Sequence, residues 1–231
     1  MHVPSHNSAA ALAAIRAKII AAALAAARDP ATIHLTAVSK QQPWSAVSPV
    51  VAAGQTVFGE NRVQEAMGRW GKCRAGLELR LIGPLQTNKV GEAVGFFDVI
   101  ETLDRPRLAE RLEREIQRLG RAPRLYVQVN TGEESQKAGV APGDVDRFLD
   151  VCREAHHLSL EGMMCIPPID EPAGPHFALL AKLARCHGLS RLSMGMSDDF
   201  EIAIGHGATD LRVGAAIFGA RSQQATIKPL N

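Results

Sequence analysis

The chain opens on a run of alanines in which Leu12, Ile15, Ile19 and Leu24 recur near helical spacing before Asp29-Pro30. Alanine is the strongest helix former and proline cannot continue a helix, so residues 8–28 are expected to form an amphipathic surface helix. Arg16 and Lys18 precede the apolar stretch 19–27 and lend it some likeness to a secretory leader, although the helical spacing favours the surface helix. Beyond residue 30 the pattern changes. Short apolar runs at 35–39, 56–59, 79–83, 99–102, 125–130, 160–166, 192–195 and 211–213 alternate with helical patterns at 45–53, 62–70, 87–94, 105–119, 143–155, 173–187 and 198–204. Such alternation is the signature of βαβ units around a parallel sheet.

Eight strands with a helix between each pair predict an α/β fold, a closed (β/α)8 barrel of TIM type with an additional N-terminal helix. No Pro-, Gly- or Ser-rich break divides the sequence and no repeat of fixed period appears, so residues 1–231 are read as a single domain. A chain of 231 residues that is 46% hydrophobic holds enough apolar material for a core of that size.

Composition narrows the partners. With 26 basic against 24 acidic side chains the formal charge is +2, which leaves no electrostatic footprint for nucleic acid. No uninterrupted run approaches the roughly 20 apolar residues that span a bilayer, so no membrane partner is expected. Cys73, Cys152, Cys165 and Cys186 are scattered without a C-x-x-C pair; neither a zinc site nor a disulfide framework is suggested, and reduced thiols of a cytoplasmic protein are the expectation. The histidines show no metal-ligand spacing, and the glycines form neither a dinucleotide fingerprint nor a P-loop.

In such a barrel the chemistry lies at the C-terminal ends of the strands. Lys40 closes the run LTAVSK, which carries an amine to the barrel rim directly after a buried strand. Desolvation disfavours the charged form of a lysine, and the neutral amine attacks aldehydes; a lysine in that position also ends many strands without further purpose. The loops after the seventh and eighth strands commonly hold phosphate. Here they read Met194-Gly195-Met196-Ser197-Asp198, with Ser197 as hydroxyl donor and N-cap of the next helix, and Arg212-Val213-Gly214-Ala215, where Gly214 admits a close approach to the main chain. Taken singly, Ser197 is equally well a helix cap and Gly214 a turn residue. Taken with Lys40 they describe a phosphate and an aldehyde in one pocket, the two handles of pyridoxal 5'-phosphate (PLP). If Arg212 points into the barrel mouth, its guanidinium is placed to donate to the pyridine nitrogen; an outward arginine in a surface ion pair is the alternative. Arginine keeps its proton at ordinary pH, so that partner leaves the ring nitrogen unprotonated and limits carbanion chemistry.

Six stretches carry a family resemblance: AVSK at 37–40, FGENRVQE at 58–65, IGPLQTNK at 82–89, VQVNT at 127–131, LSMGMSDD at 192–199 and RVGAAIFGAR at 212–221. In this order they resemble the PLP-binding homeostasis proteins, which share the fold-type-III barrel of the alanine racemase N-terminal domain. The resemblance implies PLP held as a Schiff base on Lys40, phosphate contacts from Ser197 and the Gly214 and Ala215 amides, Arg212 at the pyridine nitrogen, and Asn61 in the pocket wall. It further implies a cytoplasmic carrier of PLP, a monomer or weak dimer, with PLP-dependent apo-enzymes as recipients and no established turnover. Two positions depart from the family pattern. Ala215 stands where threonine is usual, which deletes a hydroxyl donor to phosphate, and Arg80 stands where histidine is common. A PLP-dependent amino-acid racemase is the alternative, but racemisation needs a second acid/base group opposite Lys40. Family racemases draw that group, a tyrosine, from a C-terminal β-domain for which the ten residues after Arg221 leave no room, and the one tyrosine here, Tyr126, lies early in a strand. A Schiff-base aldolase acting on a sugar phosphate is a third reading.

Overall fold

In the computed structural model, which describes residues 6–219, each apolar run becomes a strand. The strands are β1 (His34–Val38), β2 (Val57–Glu60), β3 (Glu78–Leu81), β4 (Val99–Leu103), β5 (Arg124–Val129), β6 (Leu160–Cys165), β7 (Arg191–Ser193) and β8 (Asp210–Val213). Each pairs in parallel with its sequence neighbours, and β1 closes the barrel against β8 with His34 opposite Asp210 and Ala37 opposite Val213. Parallel strands covered on both faces read as continuous apolar runs, which is why the pattern locates them within a residue or two. In β3 the two-residue period separates Leu79 and Leu81 from Arg80, and all three are buried.

The surrounding helices are α1 (Ser8–Ala25), α2 (Trp44–Ala52), α3 (Val63–Trp70), α4 (Val90–Phe96), α5 (Pro106–Leu119), α6 (Val145–Asp150), α7 (Ala173–Cys186), α8 (Phe200–Gly205) and α9 (Ala215–Phe218). Two expected helices are composite. Residues 87–94 begin as a tight turn at Thr87–Lys89 before α4, and 143–155 run through a tight turn at Pro142–Asp144, α6 and a wider turn at Val151–Ala155. The four residues of α9 are too few to show a period, and the sequence did not announce them.

Asn7 caps α1 by accepting from the Ala10 amide at 3.0 Å. The buried stripe of α1 is Leu12, Ile15, Ile19 and Ala23, whereas Leu24 is 64% exposed. Leu24 therefore does not belong to the core face expected of it, because one residue turns a side chain about 100° around the helix. The helix also stops at Ala25, short of Asp29, which instead caps the turn Pro30–Thr32 through the Ala31 amide. By length and composition alone α1 suits a membrane, a property that counting uninterrupted apolar residues does not register. In the fold it packs against α2, α8 and α9, filling the outer ring beside the β1–β8 seam. Arg28 fastens the following turn to α8 by donating to the Ile204 and Ala208 carbonyls at 2.9 and 2.7 Å.

The two faces of α1 are expected to respond differently to truncation. In urea denaturation Leu12→Ala should lower stability by about 2–5 kcal/mol, and Leu24→Ala by no more than about 0.5 kcal/mol. Equal losses would contradict this packing.

Candidate functional site

At the C-terminal ends of the strands lies a cavity of about 540 Å³, within the range of small-ligand sites. Lys40, Asn61, Ser197, Arg212, Gly214 and Ala215 all line it. Strand closure makes this possible, since Thr36 pairs with Arg212 and Ala37 with Val213, and the residues that follow each strand then meet at one rim. Of the last stretch that carries the family resemblance, Ala220 and Arg221 lie outside the described residues.

Lys40 is half-buried one residue beyond buried Ser39. The Ser39 hydroxyl donates to Glu60 Oε1 at 2.7 Å, and the same carboxylate oxygen receives the Trp70 indole N–H at 3.0 Å and faces Arg69 Nε at 3.2 Å. Arg69 also donates to the Gln42 carbonyl, so the turn bearing Lys40 is held from both sides. Within it Gln41 adopts a left-handed φ of 59°, a sparsely populated conformation for a residue with a Cβ. Burial pushes the Glu60 carboxyl above its ordinary range, outweighing the hydrogen bonds from Ser39 and Trp70 and the charge of Arg69. Beside it, Asn61 lines the cavity, and its Oδ1 is buried without a hydrogen-bond partner among the described residues. Gly83 allows this approach: a Cβ there would come within 2.4 Å of the Asn61 carbonyl oxygen.

Ser197 does not cap α8 as its position suggested. Asp199 takes the N-cap position, and its Oδ1 accepts from the Met196 amide at 2.5 Å. The Ser197 hydroxyl oxygen accepts instead from the Ala216 amide at 3.3 Å, which ties the loop after β7 to the loop after β8. Gly214 lies against β1, where an added Cβ would meet Val38 at 3.3 Å.

Arg212 points inward, not toward solvent. Its Nη1 donates to the Ser193 hydroxyl at 2.6 Å and its Nη2 to the Cys165 carbonyl at 2.7 Å, at 4% exposure. Burial pushes the nearby Cys165 thiol up to about 12, which keeps it protonated and unreactive. Arg80, on whose relation to the pocket the sequence is silent, does not line the cavity. It lies deeper in the barrel, donating to Glu78 at 2.6 Å, Glu101 at 3.1 Å and Asp210 at 2.7 Å.

In the wall contributed by the loop after β5, the residues beyond Thr131 were not read from the sequence. Gln136, Lys137 and Ala138 line the cavity with Gln128 and Asn130. Lys137 pairs with Glu134 at 2.5 Å, and Val140 returns to bridge Val129. Gly139, at φ 127°, makes the return possible because a Cβ there would strike the Asn130 backbone at 2.6 Å. The available signal was length: the connection from β5 to the turn at Pro142 is long for a barrel loop, and such loops tend to be functional. Among the described residues no group of His, Cys, Asp and Glu is arranged to hold a metal. The cavity thus sets an amine at one rim, a guanidinium in the floor, and a hydroxyl with main-chain amides on two adjoining loops. That arrangement suits a flat, electrophilic ligand with an anionic group.

The chain is similar to proteins of known family. The family model described as alanine racemase, N-terminal domain, matches residues 7–222. A pyridoxal phosphate homeostasis protein of Pseudomonas aeruginosa is 44% identical over 222 residues, covering 93% of this chain and 96% of that protein. A protein of the same name from Escherichia coli K12 is 40% identical over 231 residues, covering 94% and 96%. PipY of Synechococcus elongatus, solved with PLP bound, superposes with a TM-score of 0.78 at 37% identity, covering 92% of this chain and all of that one.

The raised Glu60 pKa has a consequence for stability. A carboxyl that holds its proton more tightly in the folded state contributes stability fully below its ordinary value of 4.5 and loses it as pH rises through the folded value. Glu60→Gln removes that dependence. The stability of the wild type relative to Glu60→Gln, from urea denaturation, is expected to increase as pH falls from neutrality toward 4.5. A relative stability that decreases over that interval would show Glu60 to be stabilised as the anion.

Proposed function

Since the chain belongs to the alanine racemase N-terminal-domain family and, within it, to the pyridoxal phosphate homeostasis proteins, we propose that it binds PLP reversibly in the cavity and serves vitamin B6 homeostasis. The observation that carries this reading is the convergence of Lys40, Arg212, Ser197, Gly214 and Ala215 on one cavity. When bound, PLP supplies a reactive aldehyde and a phosphate dianion. Lys40 offers the amine for covalent attachment, and Arg212 offers its unused N–H groups to the ring nitrogen. Ser197 and the amides of Gly214 and Ala215 receive the phosphate, while Asn61 lines the wall. The lost hydroxyl at Ala215 leaves the phosphate one donor short of the usual family set.

The carrier reading is favoured over the racemase. The relatives carry homeostasis names, and Tyr126 is fully buried beneath the cavity. Its hydroxyl donates to Asp210 at 3.3 Å and accepts from Arg191 at 3.3 Å, so it is not available as an acid/base group opposite Lys40. Burial, and then the Asp210 charge, raise its pKa further from neutrality. A cytoplasmic location, a monomeric or weakly dimeric state and delivery to PLP-dependent apo-enzymes complete the proposal.

Two experiments test it. PLP added to the wild type and reduced with borohydride is expected to leave one labelled peptide, containing Lys40, with no such label in Lys40→Ala; equal labelling of both proteins would remove Lys40 from the site. Ala215→Thr, which restores a donor to a charged phosphate worth about 1.5–3 kcal/mol, should tighten PLP binding by about tenfold or more in a fluorescence titration. Unchanged affinity would move the phosphate away from the loop after β8.

A further inference from the structure

The barrel beneath the cavity is ionic. Barrel interiors are usually filled by branched aliphatic side chains in layers, but here hydrogen bonds run between strands that are not neighbours, and such bonds can only cross the interior. Arg80 on β3 reaches Asp210 on β8, Tyr126 on β5 reaches the same carboxylate, and Ser193 on β7 reaches Glu101 on β4. One branch of this network ends on the residue in the cavity floor. Arg212 Nη1 donates to Ser193 Oγ at 2.6 Å, Ser193 Oγ donates to Glu101 Oε2 at 2.5 Å, and Arg80 Nη1 donates to Glu101 Oε1 at 3.1 Å.

The direction of every bond in that branch is fixed. A guanidinium only donates and a carboxylate only accepts, so the Ser193 hydroxyl must accept from Arg212 and spend its one proton on Glu101. Ser193 and Glu101 are both fully buried, where water cannot substitute for a lost partner. With the Cys165 carbonyl as second anchor at 2.7 Å, the guanidinium is held through both Nη atoms by β6 and β7. Two points of attachment define its plane. Nε–H and one N–H on each Nη are left over, on a side chain that lines the cavity. Arg80 supplies the counter-charge that allows a carboxylate at Glu101 at this depth, and it is held cationic in turn. Burial would lower the Arg80 pKa, but the charges of Glu101, Asp210 and Glu78 outweigh it and raise it.

We propose that Ser193 and Glu101, with Arg80 as their counter-charge, are positioning residues that fix the Arg212 guanidinium against the ring nitrogen of bound PLP, and so set the electronic state of a cofactor they do not touch. This rests on the PLP reading above and extends it to three residues outside the cavity lining. It also gives Arg80 a role that does not require contact with the ligand.

The test compares wild type, Ser193→Ala, Ser193→Thr and Glu101→Gln for three properties: borohydride labelling of Lys40, PLP affinity, and the absorption spectrum of bound PLP across pH. Labelling depends on Lys40, so it should persist in all four. Ser193→Ala is expected to bind PLP about tenfold more weakly and to shift the spectrum and its pH dependence, with recovery in Ser193→Thr, which returns the hydroxyl. Glu101→Gln, which keeps side-chain volume, should move the spectrum in the same sense. A spectrum and affinity unchanged from wild type in folded Ser193→Ala or Glu101→Gln, whatever their melting temperatures, would overturn the relay while leaving the PLP reading intact. Absence of Lys40 labelling in the wild type would overturn the PLP reading itself. A readout on the unaltered PLP-loaded protein covers variants that do not fold: Arg212 anchored at both Nη atoms gives separate, slowly exchanging Nη resonances in nitrogen-15 spectra, whereas averaged resonances would contradict the relay.

Discussion

The pairing of β1 with β8 makes the site possible. Lys40 follows the first strand, and Arg212, Gly214 and Ala215 belong to the last strand and the turn after it. Only the register that sets Thr36 against Arg212 and Ala37 against Val213 makes them neighbours. Slipping that register by one residue would send Arg212 to the outer face of the sheet, since side chains alternate along a strand. Much of the surrounding structure protects the seam. The apolar stripe of α1 packs with α2, α8 and α9, and Arg28 fastens the chain to α8 just before β1 begins.

Closure also creates the interior into which the charges are driven. A buried guanidinium is costly unless carboxylates meet it with good geometry, and breaking such a pair by removing one partner leaves an uncompensated charge worth about 3–5 kcal/mol. Arg80 meets Glu101 and Asp210 at 3.1 and 2.7 Å, with Glu78 on its Nε, and Asp210 is shared with Arg191 at 2.6 Å. Burial would raise the Asp210 pKa, but Arg80, the Thr209 hydroxyl and Arg191 bring it below its ordinary value. The network therefore holds together through mutual charge and not through aliphatic packing. It links the floor of the cavity to strands on the opposite side of the barrel, so a substitution far from the ligand can reach the residue beneath it.

The strands were legible because each is buried on both faces and reads as an apolar run, and the rim residues were legible because a barrel puts its chemistry after those runs. Lys40, Asn61, Ser197, Arg212, Gly214 and Ala215 converge on one cavity for that reason. What escaped depends on three-dimensional detail. Leu24 has the composition of a core position but lies one residue off the stripe, where Ala23 takes its place. Ser197 lies three residues before α8, yet its oxygen turns to Ala216 because the loop after β8 passes beside it. Glu101 and Ser193 look like ordinary polar interruptions of apolar strands. Their partnership exists only once β4 and β7 face each other across the closed barrel, a relation no local pattern encodes.

The most direct test of the account is a crystal structure of the protein grown with PLP. It should show density continuous from Lys40 Nζ to the cofactor, with the ring nitrogen at hydrogen-bond distance from Arg212 and the phosphate against Ser197 and the Gly214–Ala215 turn. PLP attached to a different lysine, or seated in the cavity with its phosphate turned toward the loop after β5, would contradict it.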